Sequence, residues 1–368
     1  MDLLVVAGEA SGDRHAADVV AALKVRRPGL RFFGMGGERL KAEGVELVHG
    51  SHEISVMGIT EVLPKLPRIL TVLSDLADAA RARRPAAALL VDVPDFNLRL
   101  AKRLKALGVP VAWYISPMVW AWRPGRVKTI AERVDRMLCI LPFEEDFYRG
   151  RGSQVAARYV GNPVVEQVPA PADPAHFRRA LGLPLEGRLL ALLPGSRRSE
   201  ISRILPTLVA AARRIGEAVV VPVAPGLDRA SIEAAFAGVK AWFVEGRAAE
   251  VVGASDVAVV ASGTATLEAG LMQRPLVVVY RLAPVSYLVG KAMVKLPHFS
   301  LVNLLAGRGV VPELLQGAFT PEAVASHVAE LWSGPARDVQ LKGLEEVRSK
   351  LGGPGAAGRA ADAVLELL

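Results

Sequence analysis

Short apolar, β-branched runs alternate along this chain with longer stretches of helical period, and no other feature constrains the fold as much. Leu3 to Ala7 is a strand candidate, and residues 13–26 follow it with apolar residues spaced as on one helix face. Further strand candidates lie at 31–34, 87–91, 110–115, 136–141 and 158–160, and a helix is predicted at 70–83. Apolar strands separated by helices are typical of a parallel sheet covered on both faces. The sequence therefore predicts an α/β fold.

A change in amino-acid composition near residue 165 indicates a domain boundary. Residues 163–183 are rich in Pro and Ala, and a second series of strand and helix candidates follows them. With 368 residues, the chain is long enough for two domains. We predict two Rossmann-like, doubly wound domains over 1–165 and 166–335, whose strand ends face a cleft. The helices of 336–368 either cross back to the first domain or are exchanged in a dimer.

The formal net charge of +8 favours anionic partners. Lys and Arg are not interleaved with the few aromatic residues, so a nucleic-acid groove is disfavoured. The single cysteine, Cys139, lies in an apolar run and fits a buried thiol in a reducing cytoplasm. No apolar stretch is long enough to span a bilayer, so we expect a cytoplasmic protein whose membrane contact, if any, is peripheral.

The first strand runs into the turn Gly8-Glu-Ala-Ser-Gly-Asp13, which opens a helix. The glycine spacing differs from the dinucleotide fingerprint. Ser11 and Asp13 can cap the helix, whereas Glu9 has no capping role and is the better functional candidate. Ser11 and His15, beside this turn, are also predicted as cleft residues on the acceptor side. The histidines lack metal-ligand spacing, and we predict neither a metal site nor a cofactor.

A second candidate site follows the apolar run 87–91, which ends at Asp92. Asp95 and Asn97 lie on the next turn. A partly desolvated carboxylate at a strand end is suited to take a proton from a hydroxyl nucleophile. The alternative is that both aspartates cap the helix that begins near Leu98.

Residues 114–126 hold Trp120 and Trp122 beside prolines and arginines. Exposed aromatic surface of this kind indicates a ligand or partner, here a sugar or an acyl chain. The alternative is packing against a domain interface.

The stretch 61–73 mixes leucines with Lys65 and Arg68. This mixture suits a surface that enters an anionic lipid headgroup layer, but an ordinary packed helix gives the same pattern. The candidate membrane contacts are Leu63, Leu66 and Ile69.

In the second half, a predicted strand is followed by a Gly turn and the start of a helix. Ser196, Arg197 and Arg198 lie next to each other at this helix start. Helix-terminal amides and an arginine fork can bind a diphosphate. The alternative is an ordinary helix start, at Ser199 and Glu200, with solvated arginines.

A similar turn comprises Ser262, Gly263 and Thr264, again between a β-branched strand and a helix. Small residues let a phosphate or ribose approach the backbone. Glu268, one turn further on, can accept hydrogen bonds from ribose hydroxyls. Thr264 could instead be a plain cap.

Taken together, several ordered segments resemble the lipid A disaccharide synthase family. The segments are Ala7 to Asp13, Ser55 to Gly58 with Glu61 to Leu63, Asp92 to Asn97, Ser116 to Arg123, Leu141 to Glu144, Leu193 to Arg197, Ala261 to Ala265 with Leu267 and Glu268, and Ser300 to Arg308. Met118 and Val93 depart from the family pattern, which usually has smaller residues there, and the C-terminal residues match poorly.

The resemblance implies a GT-B glycosyltransferase that inverts the anomeric centre. Its donor would be UDP-2,3-diacylglucosamine and its acceptor 2,3-diacylglucosamine 1-phosphate (lipid X), giving the β-1,6 lipid A disaccharide 1-phosphate and UDP. The resemblance implies Asp92 as general base, and Glu9, Arg197, Glu268 and Asn303 as cleft residues. It also implies a peripheral position on the inner membrane, and it leaves a homodimer open. A UDP-sugar 2-epimerase of the same fold and a basic nucleotide- or RNA-binding module are the alternatives.

Overall fold

The structure is a computed structural model that describes residues 1–54, 59–152, 154–293 and 296–368. Of residues 59–63, 285, 286, 289 and 292 it describes the backbone alone. The chain divides into two compact units. Unit 1 comprises residues 1–163 and 354–368, and unit 2 comprises residues 164–353.

The described residues of unit 1 form one parallel sheet in the order β3-β2-β1-β4-β5-β6-β7. Its strands are β1 (Asp2–Ala7), β2 (Arg31–Gly36), β3 (Glu46–Gly50), β4 (Ala87–Val91), β5 (Val111–Tyr114), β6 (Arg136–Cys139) and β7 (Ala156–Tyr159). The central strands β1 and β4 are buried along their whole length, as a sheet covered on both faces requires.

Helices follow most of these strands and cover both faces of the sheet. They are α1 (Ala10–Arg26), α2 (Glu38–Ala42), α3 (Ile59–Arg83), α4 (Pro94–Ala106), α5 (Val119–Trp122), α6 (Arg126–Arg133) and α7 (Pro142–Gly150), with a 3-10 turn at Ser51–Glu53. Side chains of alternate parity along β1 enter two separate apolar clusters, one on each face. Burial on both faces explains why these strands are uninterrupted apolar runs in the sequence.

Unit 2 repeats this construction with a parallel sheet in the order β10-β9-β8-β11-β12-β13. Its strands are β8 (Leu189–Leu193), β9 (Ala218–Val223), β10 (Ala241–Glu245), β11 (Val257–Ala261), β12 (Leu276–Tyr280) and β13 (Glu313–Leu315). Its helices are α8 (Val164–Gln167), α9 (Pro174–Leu181), α10 (Arg198–Ile215), α11 (Arg229–Ala235), α12 (Ala248–Ala254), α13 (Thr264–Leu271), α14 (Pro284–Met293), α15 (Leu301–Ala306), α16 (Pro321–Leu331) and α17 (Pro335–Leu351), with a 3-10 turn at Gln316–Ala318.

The C-terminal helix α18 (Ala356–Leu365) belongs to unit 1 of the same chain. Its apolar side joins the cluster around α1, and Asp362 pairs with Arg26 at 2.5 Å. Glu366, just beyond the helix, pairs with Arg136 and with Arg158. The segment 336–368 is therefore shared between the two units, because α17 lies in unit 2.

The predicted fold class is confirmed, since each unit is a doubly wound parallel sheet. The two strands that the sequence analysis missed, β3 and β13, lie at sheet edges and are only partly buried, so neither reads as an apolar run. Helix α3 begins earlier than expected because it continues through Pro64 and Pro67. Among the described residues, no helix is long and apolar enough to cross a membrane.

Candidate active site

The strand order of unit 1 reverses between β1 and β4, which pair directly with Ala7 beside Val91. In open α/β sheets, ligands bind outside the carboxyl ends of the strands at such a reversal. Glu9 follows β1 and Asp92 follows β4, so both candidate carboxylates lie at this point. The spacing of the two motifs along the chain does not reveal that their strands are neighbours.

Asp92 and Val93 both adopt the left-handed backbone region, with φ of 57° and 44°. This conformation costs a residue with a Cβ about 1–2 kcal/mol, and a β-branched Val tolerates it poorly. The Asn97 side-chain amide donates to the carbonyl of Val91 at 3.1 Å and to that of Asp92 at 2.8 Å. Each such bond contributes about 1 kcal/mol. The two bonds from Asn97 therefore offset part of the cost of the turn.

Gly8 provides the space that this turn needs. A Cβ at Gly8 would lie 2.5 Å from Cγ2 of Val93 and 2.9 Å from Cδ1 of Ile54. The first glycine of the sequence motif thus allows close contact between the strand end and the Asp92 turn.

Asp92 is half-buried, and burial raises the pKa of its carboxyl to about 6, with a further contribution from the negative charge of Glu9. Glu9 is exposed at the N-cap of α1 and makes no capping hydrogen bond there, as expected. Asp92 can therefore be ionised at neutral pH and still be basic enough to accept a proton.

Ser11 and Asp13 do not cap α1, so that interpretation was wrong. Ser11 is exposed in the first turn. Asp13 is buried and accepts hydrogen bonds from the amides of Gly37 (2.6 Å) and Arg39 (3.0 Å), which begin α2. Its contribution is to hold α2 against α1. His15 is also buried, and burial lowers its pKa to about 4, so its imidazole is neutral at pH 7.

Asp95 does not act as a helix cap either, because the N-cap position of α4 belongs to Val93. Its exposed carboxylate pairs with Arg126 at 2.5 Å and lies 4.0 Å from Arg123. Asp95 therefore connects the start of α4 to the tryptophan-containing loop.

That loop is held by a buried carboxylate, Glu144, which the sequence analysis did not single out. Glu144 accepts hydrogen bonds from the Trp120 indole (3.0 Å) and from the amides of Ile140 and Leu141. Burial raises its pKa to about 7 despite these donors. Trp120 is thus a fixed residue of the loop, while Trp122 is 39% exposed. The signal in the sequence was Glu144 as the third residue of a helix that starts with Pro.

In unit 2 the strand order reverses between β8 and β11, with Leu193 beside Val260. The Arg197 motif follows β8 and the Ser262 motif follows β11. Both predicted binding turns therefore lie side by side at the point where an open α/β sheet binds its ligand.

Two amides at the start of α10 donate to a carboxylate of the same turn. Those of Ser196 and Arg197 donate to the Glu200 carboxylate at 3.1 and 3.3 Å. The Arg197 guanidinium also donates to Glu200, at 3.1 Å, and is largely exposed. Glu200 therefore accepts from two of the amides that were expected to bind an anion, and anion binding at this turn stays a prediction. Arg197 remains accessible.

The turn after β11 is open. Gly263 and Thr264 are exposed, while Ser262 and Glu268 are partly exposed. None of the described residues has an atom within 4 Å of a Cβ built at Gly263, so the backbone there faces open space. This arrangement supports the predicted approach of a phosphate or ribose to the backbone.

Asn303 is placed differently from the other predicted binding residues. It is buried, and its carbonyl oxygen accepts from the amides of Val310 (2.7 Å) and Val311 (2.9 Å). Its amide donates to the carbonyl of Val311. These bonds hold the loop after α15, and they give no support to a direct contact with a diphosphate.

Helix α3 presents part of the predicted membrane surface. Leu66 and Leu70 are 38% and 44% exposed and lie one helical turn apart. Ile69 packs against the core of unit 1 instead. The side chain of Leu63 lies outside the described residues, as does the Ser55 to Gly58 motif. Within the described ranges, no cluster of His, Cys, Asp and Glu could hold a metal ion.

Comparison with known proteins identifies one family. The sequence model of the lipid-A-disaccharide synthetase family matches residues 3–364. The lipid-A-disaccharide synthase of Myxococcus xanthus is 64% identical over 374 residues, covering 100% of this chain and 97% of the relative. That of Anaeromyxobacter dehalogenans strain 2CP-C is 55% identical over 375 residues, with the same coverage.

Solved structures share the fold at low identity. Acinetobacter baumannii MurG matches with a TM-score of 0.62 and 13% identity over 99% of both chains. A UDP-GlcNAc 2-epimerase from Neisseria meningitidis, bound to UDP-GlcNAc, matches with a TM-score of 0.59 and 12% identity, covering 100% of this chain and 99% of that one. At this identity the likeness extends to the fold alone.

Proposed function

Because the chain belongs to the lipid-A-disaccharide synthase family, we propose that the strand ends of unit 1 carry the proton transfer of its reaction and those of unit 2 hold the UDP donor. The enzyme is a glycosyltransferase that joins UDP-2,3-diacylglucosamine to lipid X, forming the lipid A disaccharide 1-phosphate and UDP. The roles of individual residues are our proposal.

Asp92 is the general base. Its carboxylate accepts the proton of the acceptor 6-hydroxyl while that oxygen bonds to the anomeric carbon of the donor sugar. The bond between the anomeric carbon and the diphosphate breaks, and UDP leaves with its electron pair. Attack from the face opposite the leaving group inverts the anomeric centre. Asp92 then releases the proton to water.

The observation that carries this assignment is the strained turn at the sheet reversal of unit 1. A non-glycine residue in a left-handed conformation at a ligand-binding position is a frequent property of functional sites. Asp92 has that conformation, together with partial burial and a raised pKa. Glu9 contributes by keeping the pKa of Asp92 high, which makes Asp92 a stronger base.

In unit 2, Arg197 binds the diphosphate through its accessible guanidinium, and the open turn at Ser262 to Thr264 receives the phosphate or ribose. Glu268 accepts from ribose hydroxyls. The Arg197 pair with Glu200 is an exposed one, and such pairs are worth about 1 kcal/mol or less. A diphosphate, with its greater charge, can therefore replace Glu200 as the partner of Arg197.

Titration calorimetry with UDP tests this division of roles. Arg197→Lys should weaken UDP binding about tenfold, because Lys lacks the planar fork. Asp92→Asn should leave UDP affinity within about twofold of the parent. Arg229→Lys, which alters a similar exposed Arg–Glu pair on α11, is the matched control. Equal affinity in Arg197→Lys and the control would contradict the donor assignment.

A peripheral contact with an anionic membrane surface is the second part of the proposal. Exposed Leu66 and Leu70 lie on α3, and Leu70 and Leu73 border a groove with four cationic side chains. These are Arg99, Lys102, Arg103 and Arg133. Arg103 and Arg133 donate to the carbonyls of Leu73 and Leu98, and these neutral acceptors do not cancel the positive charges. Leucines beside cations suit an anionic headgroup layer.

Co-sedimentation with vesicles tests this contact. Vesicles containing phosphatidylglycerol should retain the protein, and pure phosphatidylcholine vesicles should retain much less of it. Leu66→Ser with Leu70→Ser should lower the vesicle partition coefficient about thirtyfold, which corresponds to about 2 kcal/mol for two leucines buried at partial depth. Leu185→Ser, at a 53% exposed leucine of unit 2, is the control. Unchanged retention of the double variant would contradict the proposed surface.

A further inference from the structure

Asn97 is the residue whose contacts the proposed reaction does not explain. It lies within the first turn of α4 and is completely buried. A side chain near a helix start ordinarily stabilises the helix by accepting hydrogen bonds from free backbone amides. Asn97 does the opposite, because its amide nitrogen donates to two carbonyls that precede the helix.

The remaining bonds of Asn97 lead to the same turn. Its backbone amide donates to the carbonyl of Val93 at 3.0 Å. Its side-chain oxygen is buried and has no hydrogen-bond partner within the described structure. A buried acceptor left without a partner destabilises the fold. The side chain is therefore arranged for the Asp92 turn and not for the stability of α4.

The turn is also held from its other side. Val93 packs partly against the core of unit 1, and Gly8 leaves the space that Val93 occupies. Asp92 lies close to α1 at Gly12, because a Cβ built on Gly12 would lie 3.6 Å from the Cβ of Asp92. Asn97 holds two carbonyls of the turn, and the core of unit 1 holds the Val93 side chain. The turn is therefore restricted to one conformation.

We infer that Asn97 is the positioning residue of Asp92, holding the carbonyls of Val91 and Asp92 so that the left-handed turn fixes the direction of the Asp92 carboxylate. The inference rests on the proposed role of Asp92 as base. Without Asn97, the turn relaxes toward ordinary backbone angles and the carboxylate moves away from the acceptor hydroxyl.

A double-mutant cycle in the full-length enzyme tests the inference. Asn97→Leu, which removes both donors, should lower kcat about 100-fold, as a 1 Å misplacement does. The KM for each substrate should stay within about threefold, because neither substrate contacts Asn97. Adding Asp92→Asn to Asn97→Leu should then cost less than about tenfold, although it costs about 1,000-fold in the parent.

Gln340→Leu is the matched control. Gln340 is also buried, and its carboxamide makes two hydrogen bonds to the backbone of Leu276, at the amino end of β12 in unit 2. Its loss should lower the unfolding temperature but leave kcat of the folded enzyme and the full cost of Asp92→Asn unchanged. Asn97→Asp, which keeps the shape and at most one donor, should give an intermediate kcat and serves if Asn97→Leu does not fold.

The outcomes distinguish this inference from the proposed role of Asp92 as general base, on which it rests. If Asp92→Asn leaves the parent kcat within a few-fold, both the base assignment and the positioning role fail. If Asp92→Asn is costly but costs as much in the Asn97 variant as in the parent, Asn97 is merely structural and the inference alone is overturned.

Discussion

The two units build their strand ends differently at the point where the strand order reverses. In unit 1, the turn after β4 holds two residues with side chains, Asp92 and Val93, in left-handed backbone. In unit 2, the turns after β8 and β11 use Gly195 and Gly263. Glycine adopts such conformations without steric cost and leaves the backbone accessible, whereas Asp92 is strained but retains its carboxylate. The contrast indicates that unit 1 fixes a side chain after β4, whereas unit 2 leaves its backbone accessible to a ligand after β11.

The largest effect expected from this contrast is the loss of the Asp92 carboxylate. Asp92→Asn should lower kcat about 1,000-fold, since a positioned general base contributes about 100- to 10,000-fold. Steady-state assays with both lipid substrates measure it. Asp95→Asn alters an exposed ion pair with Arg126, and its kcat should stay within about tenfold of the parent value. Similar losses in the two variants would mean that the strained carboxylate has no special role.

Glu144 extends the comparison, since it is a buried carboxylate near the strand ends of unit 1. Its pKa of about 7 in the folded state lies above the ordinary value of 4.5 for a glutamate, so its ionisation opposes folding. This cost is absent below about pH 4.5 and is complete above about pH 7, and it amounts to roughly 3 kcal/mol. On this account the free energy of unfolding rises as the pH falls between these values.

Glu144→Gln should remove that contribution, which urea unfolding at pH 5 and pH 8 measures. Glu145→Gln, at the neighbouring and more exposed carboxylate, should keep it. If the parent and Glu144→Gln had the same pH dependence, Glu144 would be ionised without cost and the loop would be held in another way.

Substitutions at two glycines of unit 2 should have a smaller effect, on the free energy of unfolding. Gly195 and Gly216 both have positive φ, but a Cβ at Gly195 would lie 2.6 Å from Oε2 of Glu200 and nothing lies within 4 Å of one at Gly216. Gly216→Ala should lower stability by about 1 kcal/mol, and Gly195→Ala by about 2 kcal/mol. Urea unfolding compares them. Equal losses would show that Glu200 moves freely and does not constrain the turn.

The fold was predictable because burial on both faces of the sheet makes each central strand an uninterrupted apolar run, which is visible in the sequence. Edge strands β3 and β13 lack that burial and were missed. Asp92 and Arg197 were found because polar residues interrupt the pattern directly after a strand. Whether they lie at sheet reversals could not be predicted, because strand order depends on contacts between distant segments.

Residues that act on other residues were harder to predict. Asn97, Glu144 and Glu200 each bind backbone or side chains close in sequence, so each resembles an ordinary helix-start residue. Their roles depend on which group receives the hydrogen bond. Asp13 shows the converse, because it resembles a cap of its own helix but caps another.

The central claim is that the carboxylate held in the Asp92 turn is the group whose ionisation permits transfer. A carbon-13 NMR titration of the Asp92 carboxyl, assigned by its loss in Asp92→Asn, tests it against the pH dependence of kcat/KM. We predict that both midpoints lie near pH 6, with activity falling below it, and that Glu9→Gln lowers both together because it removes the neighbouring charge. A carboxyl that titrates near its ordinary value of 3.8 while activity still falls near pH 6 would contradict the claim.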